Sequence, residues 1–262
     1  MICLDFKNQT SAKGELAQLA AQDKHSIMIE GPEGCGKTFL AKYFAHQLHC
    51  EDFQVIVPKV QELKSAIEEC YQISTPVVLC IENLDAGVVA ASYTLLKFLE
   101  EPLSYVYILV TCRSREQVPD TIISRSAVVT VGAPTQEDVL TYAQDRNFEK
   151  FYAFKDMPIW KAIKSFGDVD ILFKLTKEQV EYIQSLPMYL KSNDAISNTM
   201  WKLQKFSDNE STPLVLVIRY ILCTEPKYWF VCHTCLQELA AGQIAAHAVL
   251  AKFLLDCKYA VQ

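Results

Sequence analysis

The sequence predicts an α/β protein in which a parallel five-stranded sheet is followed by helices. Three observations lead to this prediction. An apolar run at residues 26–30 is followed by a glycine-rich loop and then by apolar residues at helical spacing. Strand and helix patterns alternate from there to residue 131, as in parallel sheets that carry helices on both faces. After Gly132-Ala-Pro134 the patterns are helical.

Segments with strand composition and length recur between the helical patterns. The run Val77–Ile81 is apolar throughout, as expected for a parallel strand that is buried on both faces. We predict strands at 26–30, 53–57, 77–81, 105–111 and 127–131.

Helical patterns separate these strands and fill the rest of the chain. Residues 1–24 form a short arm and a helix, and Thr135–Asp138 is a capping box for a helix that ends near 146. Together these patterns predict an α/β domain over 1–132, a small helical domain over 133–177 and a helical C-terminal domain over 178–262. We predict the other helices at 37–49, 60–72, 88–101, 158–165, 168–186, 193–206, 212–223, 226–241 and 243–258.

Composition places the chain among globular proteins, since half of its 262 residues are hydrophobic and 21% are charged. The net charge of −6 argues against a surface that coats nucleic acid broadly. Residues 213–223 are the most apolar stretch, but they are too short for a membrane span and contain Arg219, which indicates a core helix. The N-terminus lacks a signal-peptide pattern, so we expect a cytoplasmic protein.

Ten cysteines are scattered along the chain, and in a reducing compartment most are expected to be buried thiols. Cys232 and Cys235 form half of a zinc pattern, but no second pair of cysteines or histidines at ligand spacing accompanies them. The pattern therefore argues against zinc as a cofactor. The five histidines have no ligand or triad spacing and are interpreted as structural.

Residues 31–38 match the P-loop pattern G-x-x-x-x-G-K-[ST] between a predicted strand and a predicted helix. Glycines let such a loop curl so that its N–H groups point at a phosphate, and the positive helix end strengthens that field. Lys37 would reach the β- and γ-phosphates, and the Thr38 hydroxyl would ligate Mg²⁺. The alternative is a glycine-rich turn or a decayed P-loop. The predicted nucleotide-binding residues of the loop are Gly31, Pro32, Glu33, Gly34, Cys35, Gly36, Lys37 and Thr38.

A second candidate group follows the buried strand 77–81. Glu82 is placed to reach the magnesium ion through a water, and Asn83 follows where a catalytic glutamate is common. An amide cannot take a proton, and losing a general base typically lowers a rate by about 10²–10⁴. Asp85 follows Asn83 after one residue. The alternative interpretation of Glu82 and Asp85 is that both carboxylates lie in solvent at the end of the strand and have no functional role.

The third candidate is Arg125, within Ser124-Arg125-Ser126 before the last predicted strand. An arginine at the end of an α/β domain can enter a neighbour's phosphate site and stabilise transition-state charge. From these residues alone, a surface salt bridge is the favoured alternative.

Two longer segments resemble a known family. Residues 94–102, Thr-Leu-Leu-Lys-Phe-Leu-Glu-Glu-Pro, resemble the N-A-L-L-K-x-L-E-E-P signature of sliding-clamp-loader AAA+ subunits. Residues 119–126, Pro-Asp-Thr-Ile-Ile-Ser-Arg-Ser, resemble their P-x-T-I-L-S-R-C segment. Residues 81–85, Ile-Glu-Asn-Leu-Asp, are most similar to the degenerate acidic motif of the bacterial DNA polymerase III delta-prime subunits.

That resemblance implies an AAA+ domain, a small helical lid and a helical collar that packs subunits into a ring. It implies ATP or ADP and Mg²⁺ as cofactors. The implied partners are other clamp-loader subunits, a sliding clamp and primer-template DNA. Arg125 would be an arginine finger that acts in trans on the ATP site of the adjacent subunit. Thr111 and Cys112 would lie in the sensor-1 region, and Lys97 would be the basic residue of the helix that faces DNA.

The chain departs from the family pattern at positions that serve hydrolysis. Asn83 stands where active subunits have glutamate, and residues 167–170, Gly-Asp-Val-Asp, stand where they have the sensor-2 arginine. The family's zinc-binding cysteine cluster is also missing from the sequence. These departures predict a subunit that binds nucleotide but turns it over slowly. Two alternatives stay open: an independently active AAA+ ATPase in replication initiation or remodelling, and a scaffold with a vestigial P-loop.

Overall fold

A computed structural model describes residues 6–87, 89–191, 203, 212–241 and 245–259. The chain divides into two compact units, Met1–Asp138 and Val139–Gln262. The first unit contains the sheet, and the described elements of the second unit are helices. The further division of the second unit into a lid and a collar stays a prediction.

The first unit is built on five strands: β1 Ser26–Glu30, β2 Asp52–Ile56, β3 Val77–Ile81, β4 Val106–Cys112 and β5 Ala127–Thr130. All neighbouring strands pair in parallel, in the order β2-β3-β4-β1-β5. The predicted α/β class and five-stranded parallel sheet are confirmed, and every strand lies within one residue of its predicted position.

Helices cover both faces of this sheet because alternate strand residues point to opposite sides. The first unit contains α1 Thr10–Ala21, α2 Lys37–Gln47, α3 Val60–Cys70, α4 Val89–Glu100 and the short α5 Asp120–Ile123. On one face Leu16 of α1 and Leu40 of α2 pack against Ile27 of β1. On the other face Leu63 of α3 and Leu95 of α4 pack against neighbouring residues of β3 and β4.

The strand order determines where a site can form. Strand β4 lies between β1 and β3 in the sheet. Because all strands run the same way, their carboxyl ends meet at one edge, which is where open α/β sheets bind ligands. The loop after β1, the end of β4 and the turn after β3 therefore lie side by side.

From residue 136 onward, the described elements are helices. The predicted capping box is confirmed, because Thr135 Oγ1 accepts a hydrogen bond from the Asp138 amide at 3.1 Å and Asp138 Oδ2 accepts one from the Thr135 amide at 2.9 Å. The helices are α6 Gln136–Arg146, α7 Phe148–Phe154, α8 Phe166–Lys174, α9 Lys177–Lys191, α10 Thr212–Thr224, α11 Trp229–Ala241 and α12 Ala246–Tyr259.

The prediction of one helix over 168–186 is wrong. The chain forms α8 and α9 instead, with Leu175 in an extended conformation between them. Thr176 starts α9 with a capping box, in which its Oγ1 accepts from the Gln179 amide at 3.2 Å and Gln179 Oε1 accepts from the Thr176 amide at 2.8 Å. That T-x-x-Q signal is visible in the sequence, and the apolar periodicity on either side of it concealed the break.

One other helix prediction differs from the structure, and another lies almost entirely outside the described residues. The helix predicted at 158–165 is a 3₁₀ helix over Pro158–Ala162, and α7 was not predicted. Asn147 begins α7 by accepting the Lys150 amide with Oδ1 at 2.9 Å, a local cap that periodicity does not reveal. The helix predicted at 193–206 falls outside the described residues, except for Leu203.

The acidic segment 167–170 is held by contacts within the second unit. Asp168 is buried, and its carboxylate accepts the Lys164 backbone amide at 2.9 Å and pairs with Arg219 of α10. Its own backbone amide donates to Ser165 Oγ at 3.2 Å. Asp170 accepts hydrogen bonds from Tyr142 and from Arg146 Nε, the latter at 3.0 Å. Both carboxylates therefore bind side chains of neighbouring helices.

The apolar segment 213–223 behaves as a core helix, since Leu216, Ile218 and Ile221 of α10 are buried. In the part of the chain that the structure describes, no helix combines the length and apolar character needed to cross a membrane. The described cysteines are free thiols, and all of them except Cys223 are buried, as expected from the sequence. Among the described residues, no group of three or more histidine, cysteine, aspartate or glutamate side chains is arranged to hold a metal ion.

Candidate nucleotide-binding site

The glycine-rich loop connects the end of β1 to the start of α2. Gly34 and Gly36 both have positive φ, at 72° and 94°, a conformation that costs a glycine little and other residues more. The side chains of Pro32 and Glu33 are exposed, and that of Cys35 is buried in the core beneath the loop. Only the backbone of Cys35 is therefore available to a ligand above the loop.

Gly31 has a steric requirement of its own. A Cβ atom at this position would lie 2.5 Å from the carbonyl oxygen of Val131, which follows β5. The Gly31 amide donates to the Cys112 carbonyl at the end of β4, at 3.1 Å. The loop is thus wedged between two strand ends, and this close approach leaves no room for a side chain.

The first turn of α2 presents its amides without a protein cap. Gly36 occupies the N-cap position and has no side-chain hydrogen bond to the turn. The first N–H groups of a helix have no intrahelical partner, so they are available to an anion. Lys37 Nζ lies beside them, donating to the carbonyls of Gly31 at 2.8 Å and Pro32 at 2.9 Å.

Lys37 is only 7% exposed, so its ammonium group is held at the loop and not dispersed in solvent. A positive charge next to uncapped amides is the arrangement that binds phosphate. These residues therefore fit a nucleotide phosphate chain, and the geometry supports the P-loop interpretation of the sequence.

The P-loop and the turn after β3 meet through Thr38 and Glu82. The Thr38 hydroxyl donates a hydrogen bond to Glu82 Oε1, although 44 residues separate them in the chain. The Glu82 amide donates to the Ile56 carbonyl at 3.0 Å, which extends the ladder between β2 and β3 and fixes this glutamate. A hydroxyl and a carboxylate in contact are oxygen ligands suited to Mg²⁺.

Asn83 lies directly after Glu82 in a left-handed conformation, with φ of 51° and ψ of 54°. The backbone amide of Asn83 donates a hydrogen bond to Thr111 Oγ1 at 3.0 Å. Asparagine tolerates this backbone conformation better than glutamate does. The turn after β3 therefore places Asn83 beside Thr111, and the side chain that it presents there is a neutral amide.

The two sensor-1 candidates differ in what their side chains contact. Thr111 is buried at the end of β4 and accepts the Asn83 amide, so it belongs to the site. The Cys112 side chain lies in the core between the sheet and α3 and α4, and burial raises its pKa to about 12. Cys112 therefore acts through its backbone carbonyl, which holds Gly31.

Protein-family models match two parts of the chain. The family model described as DNA polymerase III, delta subunit, matches residues 53–135, and the model for the magnesium chelatase subunit ChlI matches residues 3–70. The first range contains β2 to β5 and Arg125, and the second contains the P-loop. No curated protein matches the chain at a significant level.

One solved structure is similar to this chain over most of its length. It is a DNA polymerase III gamma subunit-related protein from Thermotoga maritima, with a TM-score of 0.56, 14% identity, and coverage of 95% of this chain and 99% of that one. At this identity the likeness concerns the fold. PCH-2 from C. elegans has a TM-score of 0.46 and 19% identity, covering 73% of this chain and 64% of that one.

Arg125 lies after α5 and is exposed. Its guanidinium donates to Glu100 Oε1 at 2.7 Å and to the Thr121 carbonyl at 2.9 Å. Glu100 is the last residue of α4, so the two segments that resemble the family meet at this ion pair.

Lys97 is exposed on α4, and none of the described contacts involves it. Asp85 lies in the turn after β3 and fixes that turn to the segment after β4. Its Oδ2 accepts hydrogen bonds from the Arg113 backbone amide at 3.1 Å and from the Arg113 Nε at 3.3 Å. The Asp85 side chain is fully buried. Asp85 therefore joins the turn after β3 to the segment after β4, and a solvated strand end is the wrong interpretation for it.

Sequence reasoning missed the residues that attach the N-terminal arm to the P-loop. Gln9 donates to the Cys35 carbonyl at 3.0 Å, and Asn8 donates to the Gly132 carbonyl at 3.0 Å. The ring of Phe6 packs edge-on against Phe39 of α2, with centroids 6.1 Å apart. Nothing in the local pattern identifies these contacts, because each joins segments that are distant in the chain.

Proposed function

We propose that this chain is a clamp-loader subunit of the delta-prime type, which binds ATP with Mg²⁺ but hydrolyses it slowly. The observation that carries the proposal is the contact of an intact P-loop with Glu82, next to a turn that has Asn83 in place of a carboxylate. The P-loop supplies what binding requires. The neighbouring turn lacks the group that would activate water.

In this proposal the loop amides and Lys37 hold the phosphates of ATP or ADP. Thr38 and Glu82 hold Mg²⁺, which neutralises phosphate charge when it is bound. Thr111 orients the site from the end of β4, and its hydrogen bond to Asn83 keeps the turn in place. The chain therefore retains nucleotide while leaving it largely uncleaved.

We further propose that Arg125 acts in trans as an arginine finger. It is exposed, and its guanidinium is positively charged at any physiological pH, as a residue that stabilises a neighbour's phosphate must be. In the unassembled chain, Glu100 and Thr121 hold the Arg125 side chain at the end of α4. In an assembly the same guanidinium would exchange Glu100 for a phosphate.

The rest of the functional assignment follows from the same proposal. The AAA+ domain would span 1–132, the lid 133–177 and the collar 178–262, and the collar would assemble with other clamp-loader subunits in the cytoplasm. The assembly would load a sliding clamp onto primer-template DNA. Lys97 would contribute a single phosphate contact, consistent with a chain whose own net charge is −6.

The test uses the chain with an ATPase-active clamp-loader subunit recovered with it from cells. Arg125→Ala is expected to lower the partner's ATP turnover by about 10³ or more, because an arginine finger contributes that much to catalysis. Arg146→Ala is the matched control, since Arg146 is also an exposed, ion-paired arginine. Equal turnover with both variants would refute the finger.

Measurements on the chain alone separate the remaining alternatives. ATP binding with little turnover supports the proposal. Rapid turnover by the chain alone would identify an independent AAA+ ATPase. The absence of both ATP binding and an Arg125 effect would identify a scaffold.

A further inference from the structure

A groove runs along the edge of the sheet that is farthest from β5. It has a volume of about 280 Å³ and lies between strand β2 and helix α3. Its lining comprises Val55 and Ile56 from the strand and Gln61, Glu62, Ser65, Ala66 and Glu69 from the helix. These residues lie away from the P-loop, so the nucleotide proposal does not account for the groove.

The strand that forms one wall has an open edge. In the described residues β2 pairs with β3 and with no other strand. The Ile56 carbonyl accepts the Glu82 amide, so the backbone groups of Ile56 point toward β3. Alternate residues of a strand direct their backbone groups to opposite sides, and those of Phe53 and Val55 therefore point to the open edge.

Two apolar side chains are exposed at this edge. Val55 and Val57 are 48% and 49% exposed, although edge strands are commonly protected by charges. Exposed β-branched side chains beside unpaired backbone groups favour the addition of another strand. The open edge can therefore accept an extended segment of polypeptide.

The opposite wall gives that segment a charge preference. Glu62, Ser65 and Glu69 follow one another at helical spacing along the exposed side of α3. Lys59 lies 3.5 Å from Glu62 and compensates part of the charge, and Glu69 lies almost two turns further along the helix. An added strand would present every second side chain to this acidic row.

We propose that the groove between β2 and α3 binds an extended peptide segment of a partner protein by strand addition to β2, with lysine or arginine side chains facing Glu62 and Glu69. Apolar side chains would alternate with the basic ones. These apolar side chains would lie on the opposite face of the sheet, beside Val55. Val55 is on that face because it is two residues from Phe53, and residues two apart in a strand point to the same side. The proposal is independent of the nucleotide site.

The probe is a fluorescein-labelled six-residue peptide of alternating valine and lysine, titrated with the full chain and followed by fluorescence anisotropy. We expect saturable binding that is at least about tenfold tighter than that of the valine–glutamate peptide, because two charge pairs contribute roughly that much. A valine–lysine peptide with N-methylated amides should not bind, because it cannot form the ladder.

Val55→Pro removes the outward amide and leaves the ladder to β3 intact, since proline is tolerated on an edge strand. It should weaken peptide binding by about tenfold or more. Val55→Thr retains the amide and the branched side chain and is the matched control. The double change Glu62→Gln and Glu69→Gln should remove the preference for lysine while leaving residual binding.

Three outcomes would overturn the proposal. The first is the absence of saturable binding by the unaltered chain. The second is binding that Val55→Pro leaves unchanged although circular dichroism shows an intact fold. The third is concentration-dependent dimerisation that Val55→Pro abolishes, since the edge would then pair with a second copy of this chain.

Discussion

The P-loop and the turn after β3 are neighbours in space but differ in what they offer a nucleotide. The P-loop has wedged glycines, uncapped amides and a buried lysine, and these are the groups that the proposed nucleotide binding requires. The turn after β3 has Glu82 within reach of Thr38, but its next residue is Asn83 in a left-handed conformation. Because the two sets of groups lie on different segments, a substitution in one segment can leave the other unchanged, and the proposed roles in binding and in hydrolysis can be tested separately.

The largest effect is expected when the binding side is removed. Lys37→Ala should weaken ATP affinity by about 100-fold or more, because it deletes a charge-assisted contact to the phosphates. Calorimetric titration measures this directly. Lys42→Ala on the exposed side of α2 is the control and should retain affinity. Equal affinities for the two variants would mean that the P-loop does not hold phosphate.

The steric requirement at Gly31 gives the next largest effect. Gly31→Ala forces its Cβ against the Val131 carbonyl, so the strand ends must shift, and we expect a loss of about 1–3 kcal/mol in the free energy of unfolding. Chemical denaturation measures it. Gly132→Ala places its Cβ in open space and should change stability by at most about 0.5 kcal/mol. If the two substitutions cost the same, the wedge between β4 and β5 is not a constraint.

The smallest effect tests the hydrolysis side. Asn83→Glu should raise the basal ATP turnover of the chain by about tenfold, a modest gain because other elements of the hydrolytic site are also missing. It should also cost about 1 kcal/mol in stability, since glutamate is disfavoured in the left-handed region. Steady-state turnover and denaturation measure the two effects.

Asn83→Gln is the control for this variant, because it carries the backbone cost without the carboxylate. A gain in turnover with Glu but not with Gln would assign the defect to the missing base. If Glu gives no gain, the limit on hydrolysis lies elsewhere, and residues 167–170 are the next candidates because their carboxylates bind other helices.

Most of the first unit could be predicted from its sequence because its signals are local. Apolar runs fix the strands, and the pattern at residues 31–38 fixes the loop and the start of α2. The contact of Thr38 with Glu82 also follows, since parallel strands bring their carboxyl ends together. In the second unit, by contrast, the break at Leu175 was missed because helical periodicity continues across it.

The amino-acid order by itself determined the alternation of strands and helices, the glycine-rich loop between β1 and α2, and the neutral amide at residue 83. Tertiary structure alone decided that Asp85 is buried against Arg113, that Gln9 holds Cys35, and that Glu100 meets Arg125. It also decided that β2, beside α3, pairs with β3 alone among the described strands. The physical reason is sequence distance: turns, caps and periodicity act over a few residues, whereas these contacts join segments that only packing brings together.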